Sequence, residues 1–412
     1  MKPDVLVLGA GMVGTCTALH LALRGHAVTL VDRREPGRET SYGNAGIIQR
    51  EAVVPYAFPR HWGKLLGVAL GRGADVHYHL GALPGLAGPL ARYWRNSAPA
   101  RHAQLSQAYA ALIAHSLYTH DELIELAGAH RLVRREGYRW IFRTPAAMDA
   151  AVVEAQQLAA RHGLRHAVMD RATLRREEPG VTERAVGALH WLDPWTVNDP
   201  GALVGLYAQA LQARGGRVLI GDATSLAPAG RGWRVHTAEG EVQAAQAVVA
   251  LGPWSAGLLQ GLGYRYPLFI KRGYHRHYAA PVLPRLSLYD VEAGLVMGPM
   301  QRGVRVTTGA EFARLDAAPT PVQMHKAEAL ARELLPLGTP VEETPWMGAR
   351  PCTADMLPVI GAAPRHRGLW FNLGHAHQGF TLGPASGRLL AELIGGEAPL
   401  LDPAPYAPAR FG

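Results

Sequence analysis

Three glycines near the start of the chain, Gly9, Gly11 and Gly14, have the spacing G-x-G-x-x-G, and Asp32 follows at the end of the next apolar run. Gly9 permits a tight turn, Gly11 lets the backbone approach a pyrophosphate, and Gly14 lets a helix pack closely on a strand. The helix start would bind phosphate, and Asp32 would accept hydrogen bonds from ribose hydroxyls. Arg33 either pairs with a phosphate or belongs to a solvated turn. The pattern predicts a dinucleotide site, for NAD or FAD, with contacts from Gly9, Gly11, Met12, Val13, Gly14, Asp32 and Arg33.

The stretch E-T-S-Y-G-N-A-G-I-I, residues 39–48, is small and almost uncharged where a nicotinamide enzyme would usually begin a third βα unit. Small residues at 43, 45 and 46 allow a planar ring system to lie directly on the backbone. Polar side chains in the same stretch supply hydrogen-bond partners for such a ring. The stretch suits a flavin, with predicted contacts from Thr40, Ser41, Asn44, Ala45, Gly46 and Ile47.

Arg350 lies in the stretch M-G-A-R-P-C-T-A-D-M-L-P-V-I-G, residues 347–361. A guanidinium presents a planar fork to a carboxylate and stays charged when partly buried. Arg350 is therefore a candidate for binding a carboxylate substrate, and the alternative is a structural ion pair with an Asp or Glu. His375 and His377 follow, but neither a Cys nor a third ligand at a recognisable spacing accompanies them, so we predict no metal site.

Together, D-V-L-V-L-G-A-G-M-V-G, Asp32 and E-T-S-x-x-N-A-G resemble the FAD-dependent D-amino-acid oxidase superfamily. Within it the chain is most similar to the small subunit of bacterial D-amino-acid dehydrogenase and to glycine-oxidase-like enzymes. Residues 347–361 resemble the family's G-x-R-P-x-T-x-D-x-x-P-x-I-G, in which the Arg binds the substrate carboxylate. The resemblance implies a catalytic site of Arg350, Tyr274 and His375, although Tyr274 and His375 have packing roles as their alternative.

The resemblance also implies FAD as the cofactor. Related sarcosine oxidases attach FAD through a Cys seven positions before the motif's Asp, and this chain has Gly348 there, so we expect noncovalent FAD. A helix start near Gly379, directed at the N1–C2=O edge of the flavin, would stabilise the negative charge that appears on reduction. Further flavin contacts implied by the family are Ala223, Leu251, Gly252, Trp254, Gly374, Gln378, Gly379 and Thr381.

The implied reaction is oxidation of the Cα–N bond of a D-amino acid, or of a cyclic D-imino acid such as D-proline or D-hydroxyproline. Hydride would pass from Cα to flavin N5, and the imine would hydrolyse to a 2-oxo acid and ammonia or remain a cyclic imine. The D-preference rests on the resemblance. After N-A-G the chain reads I-I-Q-R-E-A, where the dehydrogenases usually have Q-[IV]-S-P-G, so the substrate stays open.

Other interpretations also stay open. A glycine- or sarcosine-type amine oxidase would pass its electrons to O2, whereas a dehydrogenase would use a quinone. A partner-dependent FAD-binding subunit, part of a hetero-oligomer, would bind flavin without being reduced by an amino acid. A nicotinamide-dependent oxidoreductase would require the second motif to be accidental.

The apolar runs around these motifs predict an α/β protein with a Rossmann-like FAD-binding domain. The predicted strands include Val5–Leu8, Val28–Val31, Arg217–Ile220, Ala247–Leu251 and Leu369–Leu373, and Asp199-Pro200 opens a helix. Between them, aromatic and β-branched segments predict an inserted mixed-sheet α+β substrate domain. We expect the FAD-binding domain to be discontinuous, comprising 1–50, 146–260 and 346–412, and the substrate-binding domain to comprise 51–145 and 261–345.

The amino-acid composition argues against several other classes of protein. The 412 residues contain only two cysteines, Cys16 and Cys352, with no disulfide or zinc pattern, which favours a reducing, cytoplasmic location. The net charge of +9 comes from scattered Arg rather than basic tracts, so we predict no nucleic-acid binding, while peripheral contact with an anionic membrane stays open. The uncharged stretch Ala244–Tyr264 contains glycines and a proline and predicts strand, turn and short helix rather than a membrane span.

Overall fold

The computed structural model describes residues 4–60, 63 and 76–411. In that part of the chain the helices are α1 (Met12–Leu23), α2 (Leu83–Asn96), α3 (Pro99–Ala114), α4 (Ser116–Ala127), α5 (Pro145–His162), α6 (Arg171–Glu177), α7 (Pro200–Gln212), α8 (Ser255–Gly261), α9 (Val322–Leu334) and α10 (Gly379–Gly395).

The strands of the same residues form three sheets. They are β1 (Val5–Leu8), β2 (Val28–Asp32), β3 (Ile47–Ile48), β4 (Val76–Tyr78), β5 (Val133–Arg134), β6 (Tyr138–Phe142), β7 (His166–Asp170), β8 (Gly187–Trp191), β9 (Trp195–Val197), β10 (Arg217–Ala229), β11 (Gly232–Thr237), β12 (Gly240–Ala244), β13 (Gln246–Val249), β14 (Leu268–Tyr278), β15 (Leu288–Asp290), β16 (Leu295–Met300), β17 (Gly303–Thr307), β18 (Ala310–Phe312), β19 (Trp346–Thr353), β20 (Val359–Ala362) and β21 (Leu369–Leu373).

The first sheet has the order β12-β11-β10-β2-β1-β13-β21-β20. Its five middle strands, from β10 to β21, are all parallel. Every residue of β1 is buried, as expected for a parallel strand covered on both faces. The carboxyl ends of these strands meet at one edge, where an open α/β sheet places its ligand. The predicted Rossmann-like α/β class is confirmed.

Helices α1, α7 and α10 pack together beside this sheet. Asp199 caps α7 by accepting a hydrogen bond from Ala202 N at 2.9 Å, and Pro200 occupies its first position, as the sequence predicts. The α1–α10 contact is close because α10 presents glycines to it. A Cβ on Gly387 would lie 2.8 Å from the backbone nitrogen of Thr17, and one on Gly383 would lie 2.6 Å from Met12 Cγ.

The second sheet has the order β4-β18-β14-β17-β16-β15-β6-β8-β7, with β19 paired to β14. Strands β14 and β19 are antiparallel and in register, so Lys271 lies opposite Arg350 and Gly273 opposite Gly348. Because successive side chains of a strand alternate between faces, Lys271, Gly273 and Arg350 share one face. The third sheet is small and has the order β3-β9-β5.

The division into two domains stays a prediction. Strands β7 and β8, in the range assigned to the FAD-binding domain, hydrogen-bond within the second sheet, and so does β19. Sheet membership therefore favours counting these three strands with the substrate-binding unit. Residues 1–3, 61–62, 64–75 and 412 of the predicted ranges lie outside the described residues.

Of the helices described, none combines the length and the apolar character needed to cross a membrane. The stretch Ala244–Tyr264 forms β13, a short turn and α8, as predicted.

Substituting Gly387→Ala is expected to lower the free energy of unfolding by about 1–3 kcal/mol, because the new methyl group would overlap backbone atoms of α1 that cannot move independently. The measurement is chemical denaturation followed by circular dichroism. The matched control is Gly205→Ala within α7, where no atom of the described residues outside the local helix backbone lies within 4 Å of the added Cβ, so helix propensity should leave stability equal or raise it by up to about 1 kcal/mol. Equal effects of the two substitutions would contradict close α1–α10 packing.

Candidate active site

A cavity of about 1100 Å³ lies where the carboxyl ends of the first sheet meet the second sheet. Gly9, Asp32, Leu251 and Gly374 line it from the first sheet, and Arg350 lines it from β19. Its volume is at the upper limit of ordinary small-molecule sites. The cavity therefore has room for a dinucleotide and a small substrate together.

The glycine turn forms one end of this cavity. Gly9 has a φ of +105°, and a Cβ there would lie 2.4 Å from Ala250 O. A Cβ on Gly14 would lie 1.8 Å from Gly9 O, which confirms its predicted role in close helix–strand packing, although Gly14 does not line the cavity. Around Gly11 the only neighbour within 4 Å among the described residues is Ser41 Oγ, at 3.3 Å. The space beside Gly11 thus remains open for a ligand.

Asp32 stands at the end of β2 beside this turn. Its Oδ2 accepts a hydrogen bond from Ala10 N at 2.6 Å, and burial raises the pKa of the carboxyl above its ordinary value. Arg33 stacks 4.2 Å over the Trp254 ring and pairs with Glu39 at 2.8 Å. Asp32 is therefore fixed at the cavity wall, whereas the Arg33 charge already has an acidic partner.

The polar residues of the predicted flavin stretch bind the protein itself. The Thr40 hydroxyl donates to Ala349 O at 3.2 Å, Ser41 Oγ accepts from Met12 N at 2.9 Å, and Asn44 Oδ1 accepts from Gly46 N at 2.8 Å. These bonds fix the stretch against the turn and β19. Cavity lining from this stretch includes Thr40, Ser41, Asn44, Ala45 and Ile47.

Besides Gly14, two predicted cofactor contacts, Gly46 and Thr381, do not line the cavity. Gly46 has a φ of +70°, and a Cβ there would lie 2.2 Å from Val197 O, so it is a turn residue packed against β9. The Thr381 hydroxyl accepts from Gln49 N at 3.2 Å inside the protein. Other predicted contacts do line the cavity, namely Gly9, Gly11, Met12, Val13, Asp32, Arg33, Ala223, Leu251, Gly252, Trp254, Gly374, Gln378 and Gly379.

Arg350 extends along the cavity face of β14. A Cβ on Gly273 would lie 2.6 Å from Arg350 Nη2, so the missing side chain at 273 makes room for the guanidinium. The guanidinium donates to Gly309 O at 2.8 Å and to Thr308 O at 3.4 Å. No acidic side chain among the described residues pairs with it, so the structural ion pair considered as an alternative is not found there.

The hydroxyl of Tyr274 is hydrogen-bonded within the protein. Its hydroxyl donates to Glu311 Oε2 at 2.9 Å and accepts from Thr320 N at 2.9 Å. Strand alternation places its side chain on the face opposite Arg350, with Arg272, whose guanidinium pairs with Glu311. The Tyr274 hydroxyl therefore has bonding partners other than Arg350, although Tyr274 also lines the cavity, and its predicted substrate contact stays a prediction.

Tyr56 and Tyr289 are better placed and were missed. Their side chains hydrogen-bond to each other, both line the cavity, and the Tyr56 hydroxyl is close enough to Arg350 for the two groups to affect each other's ionisation. Tyr56 lies in an irregular segment with no periodic signal. Tyr274 and Tyr289 both lie in segments that are predicted as strands, and the direction of each side chain depends on strand pairing that the sequence alone does not show.

The histidines after β21 are neutral. His375 Nε2 lies 3.0 Å from Ser386 Oγ, and burial lowers the pKa of His375 to about 3. His377 also has a pKa of about 3, through burial and through the positive charges of Arg350 and Lys271. Both residues line the cavity, where they supply polar surface without charge at neutral pH.

A cluster of possible metal ligands lies elsewhere, on the far face of the second sheet. The ligand atoms of His77, His79 and Glu311 are within 4.8 Å of one another. Sequence reasoning missed it because Glu311 joins the two histidines only through the pairing of β18 with β4. Glu311 already neutralises the buried Arg272 at 2.6 Å, which weakens the cluster as a cation site.

A buried carboxyl also lines the cavity, in the stretch where the chain departs from the dehydrogenase pattern. Glu51 Oε1 accepts hydrogen bonds from Tyr138 Oη at 2.7 Å and from Gln49 Nε2 at 3.0 Å. Burial raises the pKa of Glu51 to about 7. Gln49 Oε1 in turn accepts from Gln378 Nε2 at 2.8 Å, so this network joins the segment after β3 to the start of α10.

A glycine turn with open space beside it, and an arginine that has no acidic partner among the described residues, are features expected of an oxidoreductase that binds a dinucleotide and a small anion. The chain belongs to the DAO family of FAD-dependent oxidoreductases, whose model matches residues 4–393. The resemblance inferred from the motifs and the FAD cofactor are thereby confirmed. The protein is an FAD-dependent amino-acid oxidoreductase.

Proteins with similar sequences or structures match this chain over nearly its full length. A D-amino-acid oxidase of Bradyrhizobium diazoefficiens is 32% identical over 99% of this chain and 98% of its own length. A D-amino acid dehydrogenase of Chromohalobacter salexigens is 30% identical over 99% of each chain. The crystal structure of glycine oxidase from Geobacillus kaustophilus has the same fold, with a TM-score of 0.73 and 21% identity over 98% of both chains.

Substituting Gly11→Ala is expected to weaken FAD binding at least about tenfold, because the methyl group would fill space that the cofactor phosphates approach. Unfolding of the apoprotein should change by no more than about 1 kcal/mol, since Ser41 Oγ is the only close neighbour described. The measurements are flavin fluorescence titration and chemical denaturation, with Gly205→Ala as control. Unchanged FAD affinity would contradict the assigned orientation of the cofactor.

FAD is expected to be released intact when the protein is denatured. Gly348 has no side chain, and Cys352, which does line the cavity, has a buried thiol whose pKa is raised, so little of the nucleophilic thiolate forms. The measurement is acid precipitation followed by absorption spectra of supernatant and pellet. Yellow colour retained in the washed pellet would refute noncovalent binding.

Proposed function

We propose that the protein oxidises D-amino acids, or cyclic D-imino acids such as D-proline, at the Cα–N bond. The substrate loses hydride from Cα and a proton from nitrogen, and the resulting imine hydrolyses to a 2-oxo acid and ammonia or, if cyclic, persists. The observation that carries the proposal is the Arg350 guanidinium in the cavity wall, held by two carbonyls and by no acidic side chain among the described residues. It requires an anion, and the α-carboxylate of an amino acid supplies one.

FAD, when bound at the glycine turn, supplies the acceptor for the hydride. The protein positions the substrate for this transfer. Arg350 holds the carboxylate as a bidentate fork, and Tyr56 and Tyr289 lie beside it with hydroxyls that can bind a carboxylate or an amine. With the carboxylate fixed, the substrate has few orientations left in the cavity.

The charges of the pocket also favour the reactive form of the amine. Arg350 and Lys271 both bring positive charge to this wall, and the nearby His377 is neutral. Like charges disfavour an ammonium group, so the neutral amine binds more readily than its protonated form. This explains why the proposed mechanism needs no carboxylate base in contact with the amine.

The D-configuration is supported by the names of the curated relatives, one a D-amino-acid oxidase and one a D-amino acid dehydrogenase. A glycine-type oxidase that uses O2 is the second candidate, favoured by a curated glycine oxidase of Pseudomonas aeruginosa that is 31% identical over 99% of this chain. Dependence on a partner subunit is a third. A quinone acceptor and peripheral contact with the inner face of a membrane, in an otherwise cytoplasmic protein, are parts of the dehydrogenase proposal.

The test is anaerobic mixing of the FAD-loaded protein with D- and L-amino acids, glycine and sarcosine, followed by loss of the visible flavin absorption. We expect bleaching by D forms. Bleaching by glycine and sarcosine alone would favour the second candidate, and bleaching by L forms would refute the D-preference. If no amino acid bleaches the flavin, the partner-dependent subunit replaces our proposal.

In the same assay, Arg350→Met should raise the substrate concentration for half-maximal reduction at least about 30-fold while FAD stays bound, because the carboxylate loses its charged partner. The matched control is Arg314→Met, which removes a guanidinium that is 70% exposed and pairs with Asp316. Equal kinetics in Arg350→Met and the control would show that Arg350 does not bind substrate.

A further inference from the structure

Lys271 brings a second positive charge to the wall that carries Arg350. The two residues are directly opposite each other on β14 and β19, so their side chains project from the same face, and both line the cavity. Lys271 is one of four lysines in the chain, in which nearly all basic residues are arginines. A lysine ammonium is a compact point charge, whereas Arg350 offers a planar fork, so the two groups suit different anionic groups.

The Lys271 ammonium has aromatic neighbours but no acidic partner among the residues described. It lies 4.8 Å from the ring centroid of Tyr93, 5.5 Å from that of Phe269 and 5.7 Å from that of Phe312. Aromatic faces attract a cation without neutralising it. Burial is the main cause that lowers the pKa of Lys271, and the charge of Arg350 adds to it.

Two uncompensated cations side by side in an enclosed cavity are an unfavourable arrangement unless anions bind there. The α-carboxylate of a neutral amino acid supplies one negative charge, and the fork of Arg350 is sufficient to hold it. Lys271 would then stay without a counter-charge. The neutral His377, adjacent to both cations, does not supply one.

We infer that the preferred substrate carries a second anionic group that pairs with Lys271, as in the dicarboxylic amino acids D-aspartate and D-glutamate. The inference rests on the proposed function and specifies its substrate class. Arg350 holds the α-carboxylate and Lys271 holds the side-chain carboxylate, with the rings of Tyr93, Phe269 and Phe312 fixing the ammonium in place. Lys271 is thus a specificity-determining residue.

The experiment compares D-glutamate with D-glutamine, which differ in charge and hardly in shape, by anaerobic flavin reduction at low substrate concentration. We expect D-glutamate to reduce the flavin at least about tenfold more efficiently than D-glutamine. In Lys271→Met this ratio should fall to about 1, and in Lys271→Arg, which keeps the charge, it should stay well above 1. The control is Lys326→Met on the exposed side of α9, which should leave the ratio as in the unaltered enzyme.

Because each ratio is taken within one variant, a general loss of activity cancels. Equal efficiency of D-glutamate and D-glutamine in the unaltered enzyme would overturn the inference. So would an unchanged ratio in Lys271→Met with every amino acid slowed by the same factor, since that result would place both cations on the α-carboxylate. If no amino acid bleaches the flavin, the proposed function itself has failed, and that outcome is distinct from the other two.

A binding measurement tests the same charge without turnover. Glutarate and pentanoate have equal chain lengths but two and one carboxylates. Glutarate should raise the Tm of the FAD-loaded protein more than pentanoate does, and the difference should disappear in Lys271→Met. Equal shifts in the unaltered enzyme would contradict a second anion site, even if Lys271→Met fails to fold.

Discussion

A guanidinium enclosed in a protein needs acceptors for its N–H groups and a negative charge to balance its own, and the wall around Arg350 supplies only the acceptors. This missing negative charge is the constraint on the rest of the cavity. Gly273 has no side chain, and this leaves room for the guanidinium against β14. The register of β14 with β19 places the charge of Lys271 beside it. In the proposed function, the carboxylates of the substrate supply the missing negative charge.

The two sheets form different parts of the cavity. The parallel strands of the first sheet end at the glycine turn, Asp32 and the start of α10, which are groups suited to a phosphate, a ribose and a flavin. The mixed second sheet, in which β14 and β19 are antiparallel, supplies the charged wall opposite them. Residues 39–48 connect the two, since their polar side chains bond to α1 on one side and to β19 on the other. The two walls of the cavity are therefore held together by contacts between segments that lie far apart in the sequence.

Sequence predicted best what depends on local spacing. Local sequence signals identify four features: the glycine turn, the acid after β2, the strands of the first sheet and the cap of α7. Each signal lies within a few residues of the feature itself. Arg350 could be singled out because its motif is compact, and its role as the carboxylate ligand stays a prediction. Tyr274 and Tyr289 could not be separated, because which face of a strand meets the cavity depends on partners far away in sequence. The local roles of Gly46 and Thr381, and the side-chain bonds of Thr40, Ser41 and Asn44, likewise depend on contacts that a single sequence does not display.

The packing of α10 on α1 joins the two ends of the chain. Strand β1 pairs with β13, and α1 packs against the glycines at 383 and 387 of α10. Because residues near both Gly9 and Gly379 line the cavity, the cofactor site is complete only when these distant segments have come together. A fold with such distant pairings pays its loop-closure entropy late and therefore folds slowly.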